Sequence, residues 1–139
     1  PKTVNLIKDR KNNTAGSLRG HQGYRGKDGN IHKRNWSSHQ VPEKSQRFNI
    51  WSYDVGFLKT TKDDYAFKHP AMFPEALAKD HILTWSNEHD LVLDPFAGSG
   101  TTLKMAKQNS RDYIGIEMSE EYIEIIRKRL EQDAIQKYF

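Results

Sequence analysis

Residues 91–108, LVLDPFAGSGTTLKMAKQ, constrain the fold more than any other stretch of the chain. The continuous apolar run of residues 91–94 reads as a buried strand, the glycines at 98 and 100 as a sharp turn, and Thr101 and Thr102 as the opening of a helix that runs to 108. A strand that enters a glycine-rich turn and leaves it through a helix delivers backbone N–H groups and a positive helix end to the carboxyl edge of a sheet, where α/β folds bind ligands. Gly98 and Gly100 let the chain turn sharply and let a ligand approach the backbone without meeting a Cβ.

The surrounding pattern sets the fold class. YIGIE at 113–117 reads as a second strand, and 120 to about 135 as a long helix with Ser119 as its cap and Glu120 and Glu121 in its first turn. That helix carries an apolar stripe of Ile123, Ile126 and Leu130, with basic Arg127, Lys128 and Arg129 further along. Residues 74–86 predict a third helix, with Pro74 at the first helical position, Glu75 at the positive end, and Ala78, Ile82 and Trp85 on a core-facing stripe. Strand, helix, strand, helix implies an α/β fold of parallel strands joined by right-handed crossovers. Two strands are few for a parallel sheet, so the chain is expected to be marginally stable alone, or ordered by self-association or by further sequence.

The first part of the chain differs. Residues 8–47 hold five glycines, many amides and few aliphatic side chains, with neither helical nor strand periodicity, and predict irregular structure that orders on binding. The aromatic and β-branched residues of 48–58, FNIWSYDVGFL, predict a short strand or a packed loop. Charge divides unevenly: residues 1–40 carry nine Lys or Arg against two Asp, while the rest carry thirteen basic and sixteen acidic residues. A first segment at +7 on a chain whose remainder is −3 points to a polyanionic partner, with Arg19, Arg25, Lys27, Lys33 and Arg34 available for phosphates and Tyr24 and Trp36 interleaved for bases. The chain has no cysteine, so it has no disulfide framework or thiolate metal site, and the irregular spacing of His21, His32 and His39 predicts no metal centre. No apolar run approaches the length of a membrane span, and a cytoplasmic location is expected.

The glycine turn selects among ligands. Leu103 stands where a dinucleotide-binding turn needs its third glycine, and no lysine follows Gly100 as a phosphate loop requires. Asp94 ends the first strand with an acid that repels a pyrophosphate but receives an amine or hydroxyl. Twenty-three positions later, Glu117 ends the second strand, where an acid accepts ribose hydroxyls. A nucleoside with a cationic, phosphate-free tail suits both acids, and S-adenosylmethionine is such a molecule.

DPFAGSGTT at 94–102, followed by YIGIEMSEEYIEIIRKRL at 113–130, resembles the cofactor motifs of the DNA amino-methyltransferases, which methylate adenine N6 or cytosine N4. KHPAMFPEALAKDHI at 68–82 resembles the further cofactor motif that precedes the glycine turn in the permuted class called the β order. The resemblance implies part of a Rossmann-like, S-adenosylmethionine-dependent methyltransferase fold. It implies that Asp94, Phe96, Gly98 and Gly100 line the methionine end of the cofactor, with Thr101 and Thr102 beside it. Glu117 then holds the ribose, Ala71 and Phe73 contact the cofactor from the other side, and His69 positions their loop. It also implies a division into a DNA-facing segment at 1–66, with Arg19, Arg25, Lys27, Lys33, Arg34 and Trp36 on double-stranded DNA, and a cofactor-binding region at 67–139.

The family's catalytic motif, an Asp, Asn or Ser followed by Pro-Pro and an aromatic residue, has no counterpart here, because the prolines stand singly at 1, 42, 70, 74 and 95. The expected function is therefore site-specific DNA methylation, with adenine N6 as the first reading and cytosine N4 as the second, to which this chain brings the cofactor half while a partner chain or missing N-terminal half brings catalysis. A non-catalytic DNA-binding or cofactor-binding remnant is the alternative, and a different nucleotide in an unrelated α/β enzyme is a third reading.

Overall fold

A computed structural model describes residues 3–19, 24–32 and 39–136, with the side chains of 18, 19, 24, 39 and 133–136 left aside. The chain forms two compact units, residues 8–49 and residues 1–7 with 50–139. This division by packing falls at different places from the division by role expected at 66/67.

The smaller unit is a set of nested antiparallel strand pairs, not the irregular segment that its composition predicts. Strand β1 (Lys8–Lys11), β2 (Leu18–Arg19) and β3 (Tyr24–Arg25) run outward, and β4 (Ile31–His32), β5 (His39–Gln40) and β6 (Lys44–Gln46) return. β1 pairs with β6, β2 with β5, and β3 with β4, as in one long interrupted hairpin. Backbone bonds and turn chemistry hold it, with Gly16 and Gly29 at φ +79° and +80°. The period-2 signal is missing because the described side chains of these strands are mostly exposed and polar, so no apolar face is needed to set the register. Val41 alone among the described apolar residues of this unit is buried. Arg47 Nε donates to Asp9 at 2.9 Å, and Arg10 lies over the Phe48 ring at 4.4 Å.

The larger unit carries helices α1 (Glu75–Trp85), α2 (Thr101–Gln108) and α3 (Glu120–Gln136), and parallel strands β7 (Leu91–Asp94) and β8 (Asp112–Gly115). α2 is the hub. Its Leu103, Met105 and Ala106 are buried against Ala78 and Ile82 of α1, Ile126 of α3, and Val92 and Tyr113 of the strands. Gly115 lets β8 pass directly beneath α2, since a Cβ there would lie 2.4 Å from Leu103 Cδ1. Arg111, also buried, donates to the carbonyls of Ser86 and Asn109 at 2.7 and 2.6 Å, capping α1 and α2 together.

Four expectations change or narrow on contact with the structure. Pro74 is the cap that precedes α1, one position before the first helical residue. Trp85 is half exposed, its indole N–H donating to His81 at 3.3 Å. Thr84 is buried instead, its Oγ1 donating to the Asp80 carbonyl at 2.7 Å and its own carbonyl accepting the Asn5 N–H at 2.7 Å. The 48–58 segment forms no strand but a loop with packed rings, Trp51 on His81 at 5.5 Å and Phe57 on Phe67 at 4.7 Å, and Tyr53 donates to Asp80 at 2.8 Å, while Phe48, Ile50, Val55 and Phe57 remain exposed.

The fourth change concerns the sheet. β7 was expected to be buried on both sides, yet Leu91 and Leu93 are 61% and 60% exposed, and Ile114 and Ile116 are 49% and 55% exposed. Register explains this. Val92 and Tyr113 pair on the face that the helices cover, so Leu93 and Ile114 pair on the opposite face, which no described element covers.

Candidate functional site

The glycine turn lies at the carboxyl ends of β7 and β8. The Asp94 carboxylate accepts the Phe96 N–H at 3.1 Å, which folds the chain back at Pro95 and leaves the Phe96 ring 89% exposed. Ala97 N–H then donates to Ile116 O at 2.9 Å, and Gly100 N–H to Ala97 O at 2.7 Å. Gly98 and Gly100 both adopt left-handed backbone, at φ +52° and +78°, where an L side chain is strained.

Glu117 closes the site. Gly98 N–H donates to its Oε2 at 2.8 Å, and the Met118 and Ser119 N–H groups donate to its Oε1 at 2.9 Å each. These amides, Ser119 first, hold the carboxyl below its ordinary range against a smaller opposing effect of burial. An ionised carboxylate offers about four acceptor positions, so three backbone donors leave room on Oε2 for one more.

His69 brings the upstream motif to the turn. Its Nε2 lies 2.9 Å from the place a Gly98 Cβ would occupy, its ring packs edge-on to Tyr122 at 4.5 Å, and its Nδ1 accepts the Ala71 N–H at 3.3 Å. A neutral ring in that arrangement carries its proton on Nε2. Asp94, Phe96, Gly98, Glu117, His69 and Ala71 therefore form one constellation. Ala71 and Phe73 are exposed, and Thr102 is half buried.

Two glycine-turn residues look away from that constellation. A Cβ on Gly100 would lie 2.8 Å from Ile126 Cγ1, so this glycine admits the approach of α3. Thr101 is buried, and its Oγ1 accepts from Arg129 at 3.1 Å. Of the expected DNA contacts, Arg25 and Lys27 are exposed on either side of Gly26, at the tip of the hairpin. Arg19 lies in β2, its side chain not described, and Lys33, Arg34 and Trp36 lie outside the described residues.

Beneath the turn lies a buried ionic cluster that the residue pattern does not reveal. Arg129 and Lys104 face Asp63 and Glu75, with Lys104 Nζ at 2.8 and 2.9 Å from the two carboxylates. The fully buried face of α3 is Ile125, Ile126 and Arg129; of the expected stripe, Ile126 is buried, Leu130 packs half-buried against the same cluster and Ile123 is half-buried. The available signal was phase: Arg129 falls four residues after Ile125 and three after Ile126, yet it sits in a basic run that suits a solvated helix end equally well.

Burial raises the Asp63 pKa, but Lys104 and Arg129 more than reverse this, so the carboxyl lies below its ordinary value. A depressed folded-state pKa stabilises the protein above the unfolded value and ceases to do so as pH falls through the folded one. Urea denaturation should therefore show stability falling steadily from about pH 4 downward, with Asp63→Asn flattening that dependence. An unchanged acid slope in Asp63→Asn would show that the cluster is not the acid-sensitive element.

The model of the DNA methylase family for N6 and N4 amino groups matches residues 4–128. The orphan methyltransferase M.BamHII of Bacillus amyloliquefaciens is 52% identical over 97% of this chain, which spans 51% of that protein. The DNA adenine methyltransferase YhdJ of Escherichia coli (strain K12) is 46% identical over 60% of this chain, which matches 27% of YhdJ. Among solved structures, the M1.HpyAVI complex with S-adenosylmethionine is similar at a TM-score of 0.45, with 46% identity over 45% of this chain and 32% of that one. The chain thus spans about half, or less, of the length of these relatives. With 125 consecutive residues inside the family model and a relative sharing half its residues over nearly its whole length, this chain belongs to the N6/N4 DNA methylase family.

Proposed function

We propose that this chain is the cofactor-binding half, with part of the DNA-recognition surface, of a cytoplasmic, site-specific DNA methyltransferase acting on adenine N6. S-adenosylmethionine is the cofactor of the family. One observation carries the proposal for this chain: the Gly98 N–H bond to Glu117 joins the glycine turn to the acid of the second strand in a single small site. The site's chemistry fits that cofactor, because two carboxylates and backbone donors around a turn suit hydroxyls and a cationic tail, and repel pyrophosphate.

In this reading Glu117, fixed by three amides, spends its remaining acceptor position on a ribose hydroxyl. Asp94, Phe96 and Gly98 line the methionine end, Gly100 lets α3 pack behind the turn, Thr101 and Thr102 support it from the helix start, and Ala71 and Phe73 close it from the other wall. When bound, the cofactor supplies an electrophilic methyl group to an amine on a base drawn out of the duplex. The contribution of these residues is alignment and electrostatic fit. YhdJ, at 46% identity, favours adenine over cytosine.

The catalytic Pro-Pro motif comes from the other half of the fold, and the bare sheet face is where that half docks. Parallel sheets bury both faces. Here Leu91, Leu93, Ile114 and Ile116 form an apolar patch with only solvent above it among the described residues. Mixing the chain with a polypeptide spanning the part of M.BamHII that this chain does not match, DNA and labelled S-adenosylmethionine should yield labelled N6-methyladenine, and Leu93→Lys should abolish it. Label in N4-methylcytosine would overturn the adenine assignment. No transfer, with the chain sedimenting as a dimer through the same face, would favour a non-catalytic, self-associating protein.

The hairpin unit contacts DNA in this reading. Arg19, Arg25, Lys27, Lys33 and Arg34 neutralise phosphates, and Trp36 stacks on a base. About five neutralised phosphates give a log-log salt slope of roughly −4 to −5, and Arg25→Ala should reduce it by about 1 without changing which sequence is preferred. A slope unaffected by Arg25→Ala in a duplex-binding titration would remove this residue from the interface.

A further inference from the structure

Arg129 is fully buried, yet it lies outside the cofactor site itself. A guanidinium presents five N–H donors in one rigid plane and so can bond in two directions at once. On one side Nε donates to Asp63 Oδ2 at 2.9 Å and Nη2 to Glu75 Oε1 at 2.5 Å. On the other, Nη1 donates to the Ser99 carbonyl at 2.8 Å and to Thr101 Oγ1 at 3.1 Å. Lys104 already bonds both carboxylates. Lys104 reaches the turn only through its backbone, its N–H donating to the Gly100 carbonyl at 2.9 Å; what the planar fork adds is a direct side-chain link from the carboxylates to Ser99 and Thr101.

Each end of that link leads to a wall of the site. Ser99 stands between Gly98 and Gly100. Asp63 immediately precedes the short 3-10 helix Asp64–Lys68, its carbonyl accepting the Ala66 N–H at 3.0 Å, and His69 immediately follows it, reaching the turn and accepting the Ala71 N–H. We infer that Arg129 is a positioning residue: by holding Asp63 and Ser99 in one plane, its guanidinium sets the spacing between the glycine turn and the His69–Phe73 wall. The ligand of that site rests on the function proposed above; the spacing does not.

The test is amide hydrogen exchange on the full chain, read at Gly98, Gly100, His69 and Ala71, whose N–H groups bond Glu117, Ala97, Ala66 and His69 respectively. Arg129→Lys keeps the charge but loses the fork; Ile82→Val, a core change in α1, serves as a control for general loosening. Arg129→Lys should speed exchange at the four amides by roughly tenfold over the control while leaving the Ile116 amide of the strand ladder unchanged. The same variant should weaken S-adenosylhomocysteine binding by about tenfold. Equal acceleration in both variants, or none at the four amides, would overturn the inference.

Asp63→Asn gives a second reading if Arg129→Lys fails to fold. It keeps the fork and weakens one arm, so His69 and Ala71 should loosen more than Gly98 and Gly100, and equal loosening at all four would overturn the inference. A wild-type chain that binds no S-adenosylhomocysteine would sink the cofactor reading, while the exchange data would still decide the role of Arg129.

Discussion

Glu117→Ala is expected to weaken S-adenosylhomocysteine binding roughly 100-fold, and Gly98→Val to abolish it. The first change releases the amides of Gly98, Met118 and Ser119 together and, in the proposed reading, removes the charged acceptor of a ribose hydroxyl. The second forces a β-branched residue into left-handed backbone at φ +52° and drives its Cβ to 2.9 Å from the His69 ring. Calorimetric titration of each variant, with its thermal transition measured in parallel, separates lost binding from lost folding. Glu117→Gln should fall between wild type and Glu117→Ala, because it keeps an acceptor oxygen but loses the charge. Wild-type affinity in Glu117→Ala would end the ribose assignment. Preference of the unmodified chain for NAD or ATP would end the cofactor assignment altogether.

Arg129→Met is expected to cost about 3–5 kcal/mol of stability, most of what a small domain possesses. The reason is asymmetric. The intact cluster pairs two cations with two carboxylates, so its desolvation is offset internally; without Arg129, Asp63 and Glu75 share Lys104 alone. The Ser99 carbonyl and Thr101 hydroxyl lose their buried donor as well. Urea denaturation followed by circular dichroism checks the magnitude, and the loss should change little with salt because ions do not reach the pair. A loss below about 1 kcal/mol would put the cluster in the class of weak surface pairs. Adding Glu75→Gln to Arg129→Met should recover part of the loss, since it removes the excess negative charge and leaves Asp63 paired with Lys104.

The two experiments probe residues that differ in how readily the sequence revealed them. Gly98 and Glu117 were legible because local rules govern them. A glycine after an apolar run marks a turn whatever surrounds it, and an acid at the end of the next such run falls on the same edge of a parallel sheet. The helices were legible for the same reason, through caps and a 3.6-residue period. Arg129 was not. Its partners Asp63 and Glu75 lie 66 and 54 residues away, and within its own helix it looks like one of three consecutive basic residues at a favourable helix end.

The other departures have the same physical origin. The hairpin of residues 8–49 is held by backbone bonds between strands whose described side chains are mostly exposed and polar, which leave no periodic trace in side-chain type. LVLD is apolar enough for burial on both faces, but only the packing of three helices on one side shows which residues meet them and which await a cover. Gly100 reads from sequence as an opening for a ligand, and only the position of Ile126 shows that it makes room for a helix.

The sequence by itself determined the order of strand, turn and helix, the family motifs and the two acids of the site, because each depends on backbone conformation and spacing within a few residues. The tertiary structure alone decided that an arginine ties the two walls of that site together and that one face of the sheet is bare, because both depend on which distant segments share the space around α2.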